Sequence, residues 1–251
     1  MKKRYIRHAS ELVTCKGSAP KHGKEMSDIG LIKDGAVIIH DDKIVAVGTT
    51  EELDKQINDE YEVIDATGKT VMPGFVDSHT HFIFGGYRAD EFSWRLKGDS
   101  YMSIMERGGG INATVVPTRE ASLEELMETG EERLNRMLEF GVTTVEGKSG
   151  YGMDCETELK MLRAMKNLNE KHPVDIVSTF LGPHSVLPEW KGKEKEFLDE
   201  QLNHVMPIVK EEGLAEFADI FTEKNVFSVE DSEYYMTKAK EMGFKLKIHA
   251  D

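Results

Sequence analysis

Two histidines stand one residue apart where an apolar run gives way to glycines, in "PGFVDSHTHFIFGG" over residues 73–86. Alternate side chains of an extended strand share a face. Phe75, Asp77, His79 and His81 should therefore point one way, and Val76, Ser78, Thr80 and Phe82 the other. The rise per residue puts the Cα atoms of His79 and His81 about 7 Å apart, so both rings can lean onto one ion between them. Imidazole ligates zinc and iron, and a catalytic ion keeps one position open for water. Alone, a His-x-His pair is an ordinary surface or core feature. Here "KIHAD" at 247–251 offers a third imidazole, His249, in a like position. Metal binding by His79, His81 and His249 is the reading this set supports.

Other side chains gather where apolar runs end. Arg88, in "GGYRADEF", carries a guanidinium that can clamp a carboxylate with two hydrogen bonds. Its plainer role is a solvated arginine paired with Asp90 or Glu91. Tyr151, in "KSGYG", sits between glycines, where a phenol can hydrogen-bond a ligand or simply decorate a loop. His184, in "LGPHSV", follows Pro183, which stiffens the backbone before it. Tyr101 precedes "RGGGI", whose Gly108–Gly110 run reads as a mobile loop able to close on a ligand, or as a plain linker. Glu146 and Lys148 share a strand face, as do Lys245, Lys247 and His249. Charges inside a packed barrel must be paired, so a network of Asp77, Glu146, Lys148 and Lys247 is expected beneath the imidazoles.

The elements that must position these residues come in two styles. Residues 1–70 read as β-structure: "GAVIIHDDKIVAVG" is two short strands around an Asp-Asp turn, and "YEVIDATGKTVMPG" continues the style, with at most a helical turn over 50–58. From 71 to 251 strands alternate with helices. Strands are expected at "VMPGFVDSHTH", "VTTVEGKSGYG", "VDIVSTFLGPH", "FADIFTEKNVF" and "FKLKIHAD". Four helices lie between them. Residues 123–141 carry apolar side chains at helical spacing and stop at Gly141, and "LDEQLNHVMPIVKEEG" is interrupted by Pro207. This alternation is that of a parallel sheet with right-handed crossovers, and the histidines fall at strand ends, the active face of a (β/α)8 barrel. Eight strands close such a barrel and this sequence supplies five. The expectation is an α/β (β/α)8 TIM barrel over 71–251, apparently truncated after about five strands, preceded by a small β-domain at 1–70.

Composition narrows the class. The 251 residues are 39% hydrophobic and 31% charged, with a net charge of −14. An acidic surface repels phosphate backbones and anionic lipid, so neither nucleic acid nor membrane is an expected partner. No apolar run reaches the roughly 20 residues that span a bilayer. The basic start "MKKRYIRHASELV" is not followed by an apolar stretch, so it does not read as a signal peptide. Cys15 and Cys155 do not make a disulfide framework. A cytoplasmic, reduced protein is the expectation.

"VMPGFVDSHTH" resembles the first barrel strand of the amidohydrolase superfamily. Within it, "PGFVDSHTHFIFGGYRADEF", "GGGINATV", "GVTTVEGKSGYG", "TFLGPHSVLPEW" and "KIHAD" resemble the imidazolonepropionase family over nearly the whole chain. The resemblance implies that 71–251 is a metal-dependent hydrolase barrel of amidohydrolase type and 1–70 part of a small β-sandwich domain. It also implies one zinc or iron ion, a small-molecule substrate, 4-imidazolone-5-propanoate, and hydrolysis of its cyclic amide to N-formimidoyl-L-glutamate in histidine degradation. It implies that His79, His81 and His249 hold the metal and that Arg88, Tyr101, Tyr151 and His184 contact substrate. His184 would also be catalytic, polarising the ring carbonyl. A homodimer is a further implication. Two-metal relatives bridge their ions with a carbamylated strand lysine; Lys148 lies on an early strand and the likeness is to the one-metal type, so it is not read as a ligand. The fourth ligand, an aspartate on the eighth strand, and the general base are expected after residue 251. A guanine or cytosine-type deaminase, or a metal-binding fragment without activity, are the competing readings.

Overall fold

The computed structural model describes residues 2–100, 103–104, 107–224 and 226–250. Tyr101 lies outside them. The chain divides into two compact units, Met1–Gly74 and Phe75–Asp251.

The first unit is built from β1 (Lys3–Val13), β2 (Leu31–His40), β3 (Lys43–Thr49), helix α1 (Thr50–Leu53), β4 (Tyr61–Asp65) and β5 (Thr70–Val71). β2 and β3 form an antiparallel hairpin across the Asp41–Asp42 turn, where Asp41 takes a positive φ of 53° that aspartate tolerates. The strand order is β3-β2-β1-β4, with β5 also on β1; β4 and β5 run parallel to β1. Tyr5, Ala36, Ile38 and Leu53 pack on each other, and the Tyr5 hydroxyl donates to Asp54 Oδ1 at 2.8 Å. Among the described residues of this unit there is this one mixed sheet; the second layer that a sandwich requires is not among them.

The second unit is an α/β assembly on a parallel sheet of five strands, ordered β11-β9-β8-β7-β6. These are β6 (Phe75–Thr80), β7 (Val142–Lys148), β8 (Asp175–Phe180), β9 (Phe217–Ala218) and β11 (Lys245–Leu246). A parallel pair of short strands, β10 (Phe221–Thr222) and β12 (His249–Ala250), continues the fourth and fifth runs. Both of those runs are thus broken into two-residue pieces. Between β6 and β7 come α2 (Ala89–Leu96), α3 (Ile111–Glu120) and α4 (Leu123–Glu139); α5 (Cys155–Asn169) follows β7. α6 (Glu194–Glu200) and α7 (Met206–Glu211) follow β8, and α8 (Val229–Glu241) precedes β11. The core lies between the sheet and these helices, around Phe82, Leu134, Val145, Leu162, Met165 and Phe180.

Three helical stretches differ from the sequence expectation, the first being α2 over Ala89–Leu96, which is not among the four expected helices. Residues 111–120 are a helix, although "INATVVPTRE" is rich in β-branched residues and contains Pro117. Gly110, at a φ of 71°, caps it, and Thr118 lends its hydroxyl to the Thr114 carbonyl inside the turn that the proline interrupts. At Pro207 the chain does not break. A single π turn over Gln201–Val205 takes up the missing donor, and the proline occupies the first turn of α7, where no backbone N–H is needed.

Candidate active site

β6 ends in the histidine pair. Between Asp77 and Thr80 it advances three residues while β7 advances two, from Val145 to Gly147. This places a bulge at Ser78 and His79, and such bulges re-aim side chains. Beyond the bulge the alternation expected from the sequence holds, with Thr80 and Phe82 buried towards the core; before it Phe75 and Val76 are both exposed, beside a second register shift. His79 and His81 lie on the other side with ring centroids 6.1 Å apart. β12 brings His249 to 4.8 Å from His79.

The loop after β8 brings His184, whose ring stacks on His81 at 4.6 Å and 7°. The loop after β7 brings Tyr151, 5.0 Å from His81 and 5.3 Å from His184. Five of the six described site candidates thus converge at the carboxyl ends of four strand runs. Arg88, half-buried at the start of α2, is the sixth. Its Nη1 is 3.8 Å from Glu91 Oε2, and its charge is among those that disfavour protonation of His184. Glu91 is buried and accepts the N–H of Gly110 at 2.7 Å, tying the glycine run to α2.

Burial favours the neutral form of His81, His184 and His249. It pushes His81 well below the usual histidine range, with His184 and His79 adding to the effect. Burial likewise lowers His184 to about 4, against the opposing hydrogen bond to Gly150, and lowers His249, helped by His79. Neutral rings have free lone pairs, the form a metal requires. Nδ1 of His81 and Nδ1 of His249 are buried with no hydrogen-bond partner among the described residues, a costly state that a cation between the rings would relieve. The donor set therefore fits a metal. Among the described residues, however, no three His, Cys, Asp or Glu side chains are arranged so that they could hold a metal ion together.

Beneath the imidazoles lies a buried charge network. Lys148 Nζ donates to Glu146 Oε1 at 2.8 Å and to Asp219 Oδ2 at 2.6 Å. Lys247 Nζ is 2.9 Å from the same Glu146 oxygen, which also accepts from the Thr179 hydroxyl at 2.5 Å. Burial works to raise the Glu146 carboxyl, but hydrogen bonds from Lys148, Lys247 and Thr179 hold it below the usual carboxylate range. Three of the four expected members are present. Asp77 instead faces the backbone N–H of His79 at 3.4 Å, and its place is taken by Asp219.

Comparison with known proteins bears on this arrangement. The amidohydrolase family matches residues 62–114. The chain is 55% identical to an imidazolonepropionase of Parabacteroides distasonis, over 98% of this chain and 59% of that protein. It is 51% identical to one of Clostridium tetani, over the same shares, and 49% identical to one of a Geobacillus species, over 100% and 60%. The chain thus spans about three-fifths of the length of the curated relatives it matches. Among solved structures it resembles E. coli guanine deaminase at a TM-score of 0.59 and 16% identity, covering 99% of this chain and 52% of that one. It also resembles an atrazine chlorohydrolase from Arthrobacter aurescens, complexed with zinc, at 0.54 and 15%, covering 97% and 52%. At such identities the structural likeness concerns the fold alone, so the deaminase gains no support as a reading of the activity.

Proposed function

Taking as premise that the chain is a homologue of the imidazolonepropionases, within the amidohydrolase family, we propose that it carries the metal- and substrate-binding strands of an enzyme that hydrolyses 4-imidazolone-5-propanoate to N-formimidoyl-L-glutamate. The observation that carries this reading is the convergence of three imidazoles, two with buried unpartnered nitrogens, beside Tyr151, His184 and Arg88. The five parallel strands are read as the first five of a (β/α)8 barrel, and the N-terminal sheet as one layer of a β-sandwich.

His79, His81 and His249 would hold one zinc or iron ion, since neutral imidazole serves both. Such an ion, when bound, lowers the pKa of a water ligand so that hydroxide is available near neutral pH. The remaining work falls to the chain. Arg88 binds the propanoate, for which a planar guanidinium is matched. Tyr151 packs on His81 and His184 and orients the substrate ring. His184 is held by Gly150: its Nδ1 lies 2.9 Å from the Gly150 carbonyl oxygen, an acceptor, so Nδ1 carries the proton. Neutral His184 then offers Nε2 as an acceptor. It suits a ring N–H of the substrate, and this tautomer cannot donate to the carbonyl oxygen, which is the polarising role expected from the sequence. No helix among the described residues is long and apolar enough to cross a membrane.

The test joins metal content, ligand binding and turnover. The reading expects roughly one metal ion per chain, as for a catalytic site of this type. It expects binding of imidazole-4-propanoate, which keeps the ring and the carboxylate, and preference for 4-imidazolone-5-propanoate over guanine. Metal binding with no affinity for the carboxylate-bearing ring, or a preference for guanine, would overturn it.

A further inference from the structure

Glu158 is fully buried in the first turn of α5, and no step above uses it. Its carboxylate does not face an arginine or lysine. It faces backbone. Oε1 accepts the N–H groups of Gly152 at 2.8 Å and Met153 at 2.9 Å, and Oε2 accepts that of Gly150 at 3.0 Å. Burial pushes this carboxyl up, and the hydrogen bonds from Ser149 and from these amides oppose it. One side chain thus satisfies most of the loop between β7 and α5, a loop whose Gly150 and Met153 have φ values of 108° and 55°. Such a conformation persists only where the surroundings hold it.

Tyr151 is the residue between two of the pinned amides. Gly150 is also the residue whose carbonyl sets the His184 proton. There is no slack on that side: a Cβ at Gly150 would lie 2.6 Å from the Leu181 carbonyl oxygen and 2.9 Å from His184 Cβ. The loop is clamped between the Glu158 carboxylate and the His184 ring. We propose that Glu158 is a positioning residue that, through Gly150, fixes both the place of Tyr151 and the tautomer of His184. Its significance for substrate rests on the function proposed above; its effect on the loop and on His184 does not.

Glu158→Gln separates positioning from bulk stability. The amide keeps Oε1 for Gly152 and Met153 and puts an N–H₂ donor in place of Oε2, the nearer acceptor of the Gly150 N–H at 3.0 Å; Oε1, 3.2 Å from that N–H, is retained, so the Gly150 contact is weakened while the other two are kept. In the wild-type chain, side-chain ¹⁵N shifts should show His184 protonated at Nδ1, and the amides of Gly150, Gly152 and Met153 should be protected from hydrogen exchange. In E158Q the His184 shifts should move towards the other tautomer. Affinity for imidazole-4-propanoate should fall roughly tenfold, the scale on which a displaced supporting group acts, with far-UV circular dichroism retained. An unchanged His184 tautomer in folded E158Q overturns the proposal. If E158Q does not fold, the wild-type exchange decides: a fast-exchanging Gly150 amide overturns it and a protected one supports it. If the wild-type chain does not bind the probe at all, the proposed function fails, while the tautomer shift still reads the role of Glu158.

Discussion

Replacing Lys148 by methionine keeps the length of the side chain and removes its charge, leaving the carboxylates of Glu146 and Asp219 buried with one cation fewer. Removing one partner of a buried ion pair is far costlier than the pair's net worth, so a loss of about 3 kcal/mol is expected, read as a shift of the urea midpoint. The same network gives a pH signature. The folded-state pKa of Glu146 lies below its unfolded value, so its contribution is fully present above the ordinary carboxylate pKa of about 4.3 and is lost as pH falls through the depressed value. Acid destabilisation below that point should be shallower in Glu146→Gln than in the wild type, compared by urea unfolding between about pH 5 and pH 2. For the imidazoles, His249→Ala should lower metal affinity by roughly tenfold or more, and Tyr151→Phe should leave it within error; elemental analysis after dialysis separates the two. His79, His81 and His249 were legible because strand parity and strand ends are properties of short stretches. The pairing of Glu146 with Lys148 was legible for the same reason. Asp219 was not: "FADIF" gives no local sign that its carboxylate meets a lysine 71 residues away. Glu158 was hidden because its partners are backbone amides, which have no signature in the sequence.

At the scale of elements, the termini of helices carry the clearest local chemistry. Ser122 and Glu125 form a reciprocal capping box at the start of α4, with bonds of 3.1 Å and 2.8 Å. Ser122→Ala removes an acceptor for an otherwise unpaired amide, and about 1 kcal/mol should be lost. Gly85 tests a different joint. A Cβ there would lie 2.4 Å from the Pro117 carbonyl oxygen and 2.7 Å from its carbon, both backbone atoms of α3 that cannot rotate aside. Gly85→Ala should therefore cost about 2 kcal/mol, the scale of overpacking, and more than the cap substitution. Thermal midpoints rank the two, and the reverse order would contradict the close approach of this loop to α3. α4 was legible because its apolar residues recur at helical spacing and Gly141 stops it. α3 was not, because Val115, Val116 and Pro117 argue against a helix that exists through Gly110, Thr118 and packing on the core. Local propensity there is overridden by tertiary contacts.

For the molecule as a whole, two opposed terms govern association. The net charge of −14 repels like copies. Against it stand apolar surfaces: β6 and β11 end their sheet, with Phe75 52%, Val76 67% and Ile248 56% exposed, and the N-terminal sheet exposes Ile44, Val45, Val47 and Val63. Unpaired strand edges beside exposed apolar side chains are templates for pairing with another chain. The number of strands in the second unit's sheet was legible from the alternation of apolar runs. Which side chains line the sheet's ends was not, since that depends on where each strand leaves its ladder. The balance of the two terms has a sign that salt can read. Charge repulsion between surfaces decays over a Debye length, about 10 Å at 0.1 M salt and about 3 Å at 1 M, while burial of apolar area does not weaken with added salt. The 251-residue chain should therefore self-associate, and more strongly at 1 M than at 0.1 M sodium chloride. Sedimentation velocity over a concentration series at both salts measures this. Dissociation on raising the salt would mean that ion pairs, not the apolar edges and faces, hold the copies together.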